Sequence, residues 1–403
     1  MVKIAILGFG TVGSGVAEVL TENGGLIDRR VDDLVRLKYI LDVRDFPESP
    51  YRDCFVKDFS VIEQDPEVDI VVETIGGATV ALDFTTRALK AGKSVVTSNK
   101  ELVATHGYEL LKLAREHGCS YLFEASVGGG IPILRPLTSC LAANQLEEIT
   151  GILNGTTNYI LTRMIRAGLT FEQALQEAQA KGYAEKDPTA DVDGHDACRK
   201  ICILSALSFG RQIYPEQVPT QGIRGVALED VAYAGSADYK IKLLGRAIRR
   251  PEGKVCAFVA PHLVPGDNPL AGVEDVFNAI AVRGNAIGDA MFYGRGAGKL
   301  PTASAVVADV IDIAKDLKRD HRNDWEEGAP DLVVSPDVLT SQWYVRAEAT
   351  AEQARAACGE IHLLARSGAP VGEVAFLTGP MTEPQLRKRL EGLEVRSLFR
   401  VLA

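Results

Sequence analysis

Long apolar runs are missing from this sequence: no stretch reaches the 18 or so consecutive apolar residues that a membrane-spanning helix needs, so a membrane partner is not expected. The N-terminus, from Met1 to Gly8, is apolar for a few residues only and then turns glycine-rich, without the longer apolar stretch and cleavage site of a secretory signal. Cysteine is sparse. Seven residues, an odd number, are scattered from Cys54 to Cys358, which excludes a disulfide framework and fits reduced thiols in a cytoplasmic protein. Cys198 and Cys202 lie four apart on an expected helix, but no second cysteine pair or histidine set completes a zinc cage, and the want of a His/Cys/Cys ligand set speaks against a zinc alcohol dehydrogenase. Basic clusters are also lacking. Lys+Arg number 44 against 54 Asp+Glu, and the two densest groups, residues 242–250 and 387–389, fall in stretches patterned as ordinary strand or helix. Nucleic acid is therefore not an expected partner.

What remains is an ordinary globular composition, 46% hydrophobic and 24% charged, on a chain long enough for two or three domains. The first third alternates short aliphatic strands (residues 3–8, 37–43, 69–73, 94–97 and 121–125) with amphipathic helices (12–21, 79–91 and 108–117). Gly92 and Gly118 follow two of those helices as terminators. Such alternation predicts an α/β fold with a doubly wound, nucleotide-binding parallel sheet over residues 1–130, completed by residues 300–320. Residues 131–300 read as a mixed α/β catalytic domain, with a helix-like stretch opened by Pro132 and Pro136, a strand over 146–153 and helices over 159–167, 171–181 and 196–209. Residues 321–340, rich in Asp, Glu, Gly and Pro, read as a linker. The order β-α-β-β-α-β over 341–403 predicts a small ferredoxin-like unit.

Gly8-Phe9-Gly10-Thr11-Val12-Gly13 has the GxGxxG spacing, after an apolar strand and at the opening of a helix. In that context Gly8 permits the tight turn, Gly10 lets a pyrophosphate approach the backbone and Gly13 permits close helix–strand packing. NAD or NADP is the expected cofactor. At the end of the second strand, Asp42 suits the ribose hydroxyls of NAD while Arg44 suits the 2′-phosphate of NADP, with Lys57 as a second phosphate candidate; both cofactors stay open.

Thr97, Asn99 and Lys100 end another expected strand, where ligand contacts collect in a doubly wound sheet. Further on, an acidic loop-like segment over 182–196 runs into a largely apolar helix on which Asp196 and Lys200 are spaced i,i+4 and share a face. A lysine carried inward by such a helix needs a carboxylate partner or a solvent-lined cleft. His195, alone in its loop, is not expected to act.

On the residues 8–13, 97–100, 124–132, 154–159, 182–200 and 293–308, the chain resembles homoserine dehydrogenase from residue 1 to about 320. That resemblance implies NAD(P)H-dependent interconversion of L-aspartate 4-semialdehyde and L-homoserine, in the synthesis of threonine, methionine and isoleucine. It places Lys200 at proton transfer and Lys100 as the second lysine, near substrate and nicotinamide. Glu185, Asp191 and Asp196, with Thr156, Gly182 and Tyr183, match substrate-binding positions; Gly8, Phe9, Gly10, Thr11, Val12, Gly13, Arg44, Lys57, Thr97 and Lys100 match cofactor-binding ones. A sodium ion is implied at Glu124 and the carbonyls of Val127, Gly129 and Ile131. A homodimer or homotetramer is implied too. The tail resembles an amino-acid-binding (ACT-like) regulatory module, but Glu348-Ala349-Thr350-Ala351 replaces its usual Pro-Gly turn, so threonine binding and subunit association both stay open as its role. A thioester-forming semialdehyde dehydrogenase would instead need an activated thiol, with Cys119 and Cys140 the ones to test. A non-catalytic nicotinamide sensor would leave both lysines without a role.

Overall fold

The computed structural model describes residues 1–317 and 324–402. They form two units, the first drawn from Met1–Gln145, Cys202–Pro215 and Gly294–Ala329, the second from Leu146–Ile201, Glu216–Tyr293 and Pro330–Ala403.

The first unit begins with β1 (Val2–Leu7), α1 (Thr11–Glu22), α2 (Gly24–Val31) and β2 (Val35–Leu41). The strands β3 (Phe55–Val56), β4 (Ile70–Glu73), β5 (Ser94–Thr97) and β6 (Tyr121–Leu122) follow, interleaved with α3 (Ser60–Gln64), α4 (Thr79–Lys90) and α5 (Lys100–Glu116). The sheet order is β3-β2-β1-β4-β5-β6, and every pairing is parallel. This is the doubly wound order, which reverses direction between β1 and β4 and opens a ligand crevice at their carboxyl ends. Fully buried strands such as Ile70–Glu73 are near-continuous aliphatic runs because helices cover both faces. Gly92 and Gly118, with φ of 76° and 65°, take the left-handed conformation that ends the preceding helices. Helix α2 was not foreseen: its charged sequence carries only Ile27 and Val31 into the core.

The second unit starts with β7 (Leu146–Ile152), α6 (Gly155–Ala167), α7 (Phe171–Ala180), the single turn α8 (Thr189–Val192) and α9 (His195–Phe209), whose residues from Cys202 on belong to the first unit. Then come α10 (Leu228–Ser236) and the strands β8 (Tyr239–Arg249), β9 (Val255–Pro265), β10 (Phe277–Gly284) and β11 (Gly288–Arg295). The helix-like stretch expected from Pro132 and Pro136 forms a π-type turn over Pro136–Cys140, which belongs to the first unit. The β10–β11 pair escaped the sequence reading: in β11 the residues Ala290-Met291-Phe292-Tyr293 form one short apolar run between glycines instead of a two-residue alternation, and none of its residues is buried.

Helix α11 (Lys299–Lys315) belongs to the first unit, where Ala303, Val306, Val310 and Ile313 join Ile4, Ile6, Val16 and Val72 in one core. It lies close on α1 because Gly15 has no side chain: a Cβ there would stand 3.1 Å from that of Ala303.

The stretch 321–340 lies outside the described residues up to 323. Beyond it the chain is irregular but anchored: Trp325 is buried in the first unit, its Nε1 donating to Gln212 Oε1 at 2.7 Å, and Leu332 is buried in the second. The C-terminal part has β12 (Trp343–Glu348), α12 (Ala351–Cys358), β13 (Ile361–Leu364), β14 (Glu373–Thr378), α13 (Glu383–Arg389) and β15 (Glu394–Val401). Its strands run β15-β12-β14-β13, a ferredoxin-like arrangement, and continue the sheet of the second unit to nine strands through a parallel β15–β9 pairing. A buried ionic knot fastens α10 to this part: Asp230 accepts from Arg346 Nε at 2.7 Å, Ser397 Oγ at 2.8 Å and Tyr344 Oη at 2.9 Å.

Candidate active site

In the first unit the glycine turn has the geometry its spacing predicts. Gly8 has φ of 90°, and a Cβ on Gly13 would meet Gly8 O at 1.9 Å, so only glycine permits that helix–strand approach. A Cβ on Gly10 would meet nothing within 4 Å, and α1 starts there without a side-chain cap or an acidic residue in its first turn. Its amino-terminal N–H groups, including those around Thr11 and Val12, are thus not claimed by a side chain, which suits an anionic pyrophosphate. The cradle fits a dinucleotide.

Asp42 follows β2 directly and accepts the Phe9 N–H at 2.7 Å. Arg44 reaches back to it with Nε at 3.0 Å and Nη2 at 2.9 Å, and the guanidinium beside it holds the carboxyl well below the usual range. The Arg44 side chain stays largely exposed, while Lys57 is spent on the loop itself, donating to the carbonyls of Val43 and Arg44 and pairing with Asp45 at 2.8 Å.

Thr97 ends β5, and Lys100 is the first residue of α5, half-buried, behind an Asn99 cap whose Oδ1 accepts from Leu102 N at 3.1 Å. Sequence reasoning missed Glu73 at the end of β4. It is fully buried, and its carboxylate accepts from Thr97 Oγ1 and from Ile75 N, each at 2.6 Å. No signal pointed to it, since a terminal Glu on an aliphatic strand reads as an exposed strand end.

Buried Glu124 accepts three backbone N–H groups: Ile133 at 2.6 Å and Leu134 at 2.8 Å on Oε1, and Arg135 at 2.7 Å on Oε2. The carbonyls of Val127, Gly129 and Ile131 stand outside helices and strands and accept no hydrogen bond among the described residues. Carbonyl oxygens of this kind are the donor type that a hard cation takes. Among the described residues no group of three or more His, Cys, Asp and Glu side chains forms a metal site.

In the second unit the structure brings together four of the expected residues and one that was missed. Lys200, buried on α9, donates to Asp196 Oδ2 at 2.8 Å and to Leu153 O at 2.7 Å. Asn154 caps α6 through Oδ1, which accepts Thr157 N at 2.8 Å, and turns its amide toward Asp191 Oδ1 at 2.7 Å and Asp196 Oδ2 at 2.9 Å. Its polar-turn setting was visible, but its bridging role needs residues about 40 positions away. Burial raises the Asp191 carboxyl, while Asn154 and then Thr156 work against the rise. Thr156 Oγ1 also donates to Tyr183 O at 2.7 Å, just beyond the left-handed turn at Gly182 (φ 74°). Tyr183 and Glu185 are exposed; the Tyr183 ring meets Tyr159 edge-on at 5.0 Å, and the Glu185 carbonyl accepts from Gln179.

Two family patterns match the chain. The one described as "Homoserine dehydrogenase" covers residues 132–311, and "Homoserine dehydrogenase, NAD binding domain" covers residues 8–124. The chain belongs to the homoserine dehydrogenase family. It is 42% identical to the homoserine dehydrogenase of Bacillus subtilis over 322 residues, 79% of this chain and 74% of that one. With that of Synechocystis it shares 45% over 319 residues, 77% and 73% of the two chains. The crystal structure of a homoserine dehydrogenase from Thiobacillus denitrificans superposes with a TM-score of 0.89 at 34% identity, covering 100% of this chain and 98% of that one. A hyperthermophilic archaeal homoserine dehydrogenase in complex with NADPH gives 0.66 at 30% identity, over 79% and 98%. The chain is accordingly an NAD(P)-dependent oxidoreductase that interconverts L-aspartate 4-semialdehyde and L-homoserine in amino-acid biosynthesis. The thiol-based alternative finds no support at Cys119, whose thiol burial pushes up to about 11, away from the thiolate a nucleophile needs. No described helix is long and apolar enough to cross a membrane.

Proposed function

We propose that Lys200 is the proton-transfer group of this dehydrogenase. The carrying observation is the buried chain Asp191–Asn154–Asp196–Lys200, in which the ammonium donates to the Asp196 carboxylate and the Leu153 carbonyl. The nicotinamide supplies or accepts the hydride. Lys200 gives its proton to the aldehyde oxygen as an alkoxide develops there, and takes it back in the oxidative direction. Asp196 holds the ammonium in place, and Asn154 keeps Asp196 and Asp191 from repelling each other apart. Asp191 and Glu185 receive the substrate ammonium; Thr156, Gly182 and Tyr183 shape its seat.

On the first unit, Gly8 to Gly13 hold the pyrophosphate, and Thr97 and Lys100 hold the nicotinamide end. Arg44 holds the 2′-phosphate when NADP is bound, with Lys57 supporting that loop. Glu124 and the Val127, Gly129 and Ile131 carbonyls hold a sodium ion that stiffens the chain between β6 and β7. The protein works in the cytoplasm as a homodimer or homotetramer. The C-terminal part serves either threonine sensing or subunit association.

The test is direct. Purified protein is given L-homoserine with NAD or NADP, and the absorbance of the reduced cofactor is followed with sodium present. Lys200→Ala should bind cofactor and turn over about 10²–10⁴-fold more slowly; normal turnover would remove the assignment.

A further inference from the structure

Glu73 is a carboxylic acid buried at the point where the doubly wound sheet meets its ligand, and no lysine or arginine pairs with it among the described residues. Burying such a group costs free energy unless hydrogen bonds compensate. Here they are specific. Oε1 accepts Ile75 N at 2.6 Å, and Oε2 accepts Thr97 Oγ1 at 2.6 Å. The same Thr97 oxygen accepts Asn99 N at 2.9 Å. Asn99 Nδ2 then donates back to Ile75 O at 3.1 Å and to Gly77 O at 2.7 Å. The circuit closes, joining the loop after β4 to the turn after β5. Its last member, Asn99, caps the helix whose first residue is Lys100.

We propose that Glu73 is a positioning residue for the nicotinamide end of the cofactor site: its carboxyl group fixes the 75–77 loop and the 97–99 turn against each other, and so sets where Thr97 and Lys100 stand. The inference rests on the assignment of those two residues to the cofactor. Burial pushes the Glu73 carboxyl up to about 7, with Thr97, Ile75 and Asn99 opposing the rise. In either protonation state the group keeps the acceptor oxygen that Ile75 N requires.

The experiment compares Glu73→Gln, Thr97→Val, Thr97→Ser and the Glu73→Gln/Thr97→Val double variant, each checked by circular dichroism. NADPH affinity is measured by fluorescence titration without substrate, and kcat and both KM values by homoserine oxidation. Glu73→Gln keeps the acceptor for Ile75 N but turns an amide donor toward Thr97. It should weaken NADPH binding and lower kcat by about 5- to 10-fold, the size of one well-placed hydrogen bond, with the KM for homoserine within about twofold. Thr97→Val should do the same, and Thr97→Ser, which keeps the hydroxyl, should exceed Thr97→Val by about fivefold. The double variant should be no worse than the poorer single one, since both cut one circuit. Unchanged NADPH affinity and kcat in a folded Glu73→Gln protein would overturn the proposal, as would multiplying effects in the double variant. If the parent protein oxidised homoserine with neither cofactor, the catalytic reading would fail, while the NADPH titrations would still decide the role of Glu73.

Discussion

Asn154 and Asp196 share a hydrogen bond of 2.9 Å, and the carboxylate oxygen that accepts it, Oδ2, also accepts the Lys200 ammonium at 2.8 Å. One oxygen therefore ties the cap of α6 to the lysine of α9. Asn154→Ala should remove the amide that donates to Asp191 and Asp196 together. Steady-state kinetics should then show kcat lowered by about 10- to 100-fold, the equivalent of one or two hydrogen bonds to charged groups. Asn154→Asp should be worse, since it adds a third carboxylate beside the two.

Cofactor choice should follow Arg44. Its exposed guanidinium is oriented by Asp42, whereas Lys57 is committed to the loop carbonyls and Asp45. Arg44→Ala should raise the KM for NADP about 10-fold or more, as expected for loss of a charge-assisted hydrogen bond to phosphate, and leave that for NAD within a few-fold. Equal loss with both cofactors would count against the assignment.

The buried Glu73 also makes a prediction about stability. Its native pKa of about 7 lies above the ordinary glutamate value of 4.5, so the folded state binds the proton more tightly than the unfolded chain. This contribution is therefore most favourable below about pH 4.5 and is lost as the pH rises through 7. The loss is on the order of 3 kcal/mol. Tyr121 on β6 feels it too, its hydroxyl raised by burial and then by Glu73. Glu73→Gln should flatten the decline in melting temperature between pH 5 and pH 8 relative to the parent protein.

Asp230 is fully buried among Arg346, Tyr344 and Ser397. Asp230→Ala strands the Arg346 guanidinium, which among the described residues keeps Glu373 and Ser397 as side-chain partners, and should cost about 3–5 kcal/mol. Limited proteolysis should then cut between Ser335 and Trp343 at denaturant concentrations where the parent resists.

Glu124→Gln replaces one carboxylate oxygen by an amide nitrogen among the proposed sodium ligands. Activity should lose its dependence on sodium when sodium is exchanged for choline at constant ionic strength. A parent protein indifferent to that exchange would remove the ion from the reading.

Legibility of the site in the sequence followed the range of the interactions. The glycine turn and the Asp196–Lys200 pair were readable because their partners lie within one turn, and local backbone geometry dictates the outcome. The Asn154 bridge and the Glu73 circuit were not, because their members lie 24 to 42 residues apart and meet only through the tertiary fold. Five of the six parallel strands were visible as short apolar runs, and the two-residue β3 (Phe55–Val56) was too short to stand among them. The strand β11 was hidden because Met291 and Tyr293 stand on its exposed face beside Asp289 and Arg295, so hydrophobicity does not alternate with burial along it.

The parallel pairing of Arg400 with His262 and Val401 with Leu263 has a consequence for biogenesis. On the ribosome, β9 emerges about 140 residues before the strand that covers its edge. Until β15 arrives, the end of β9 around His262 and Leu263 lacks the strand that pairs it in the folded chain, whereas Val259 already pairs with the 219–221 segment. Translation that stalls before Glu394 should therefore yield a sticky, aggregation-prone fragment in place of a trimmed enzyme.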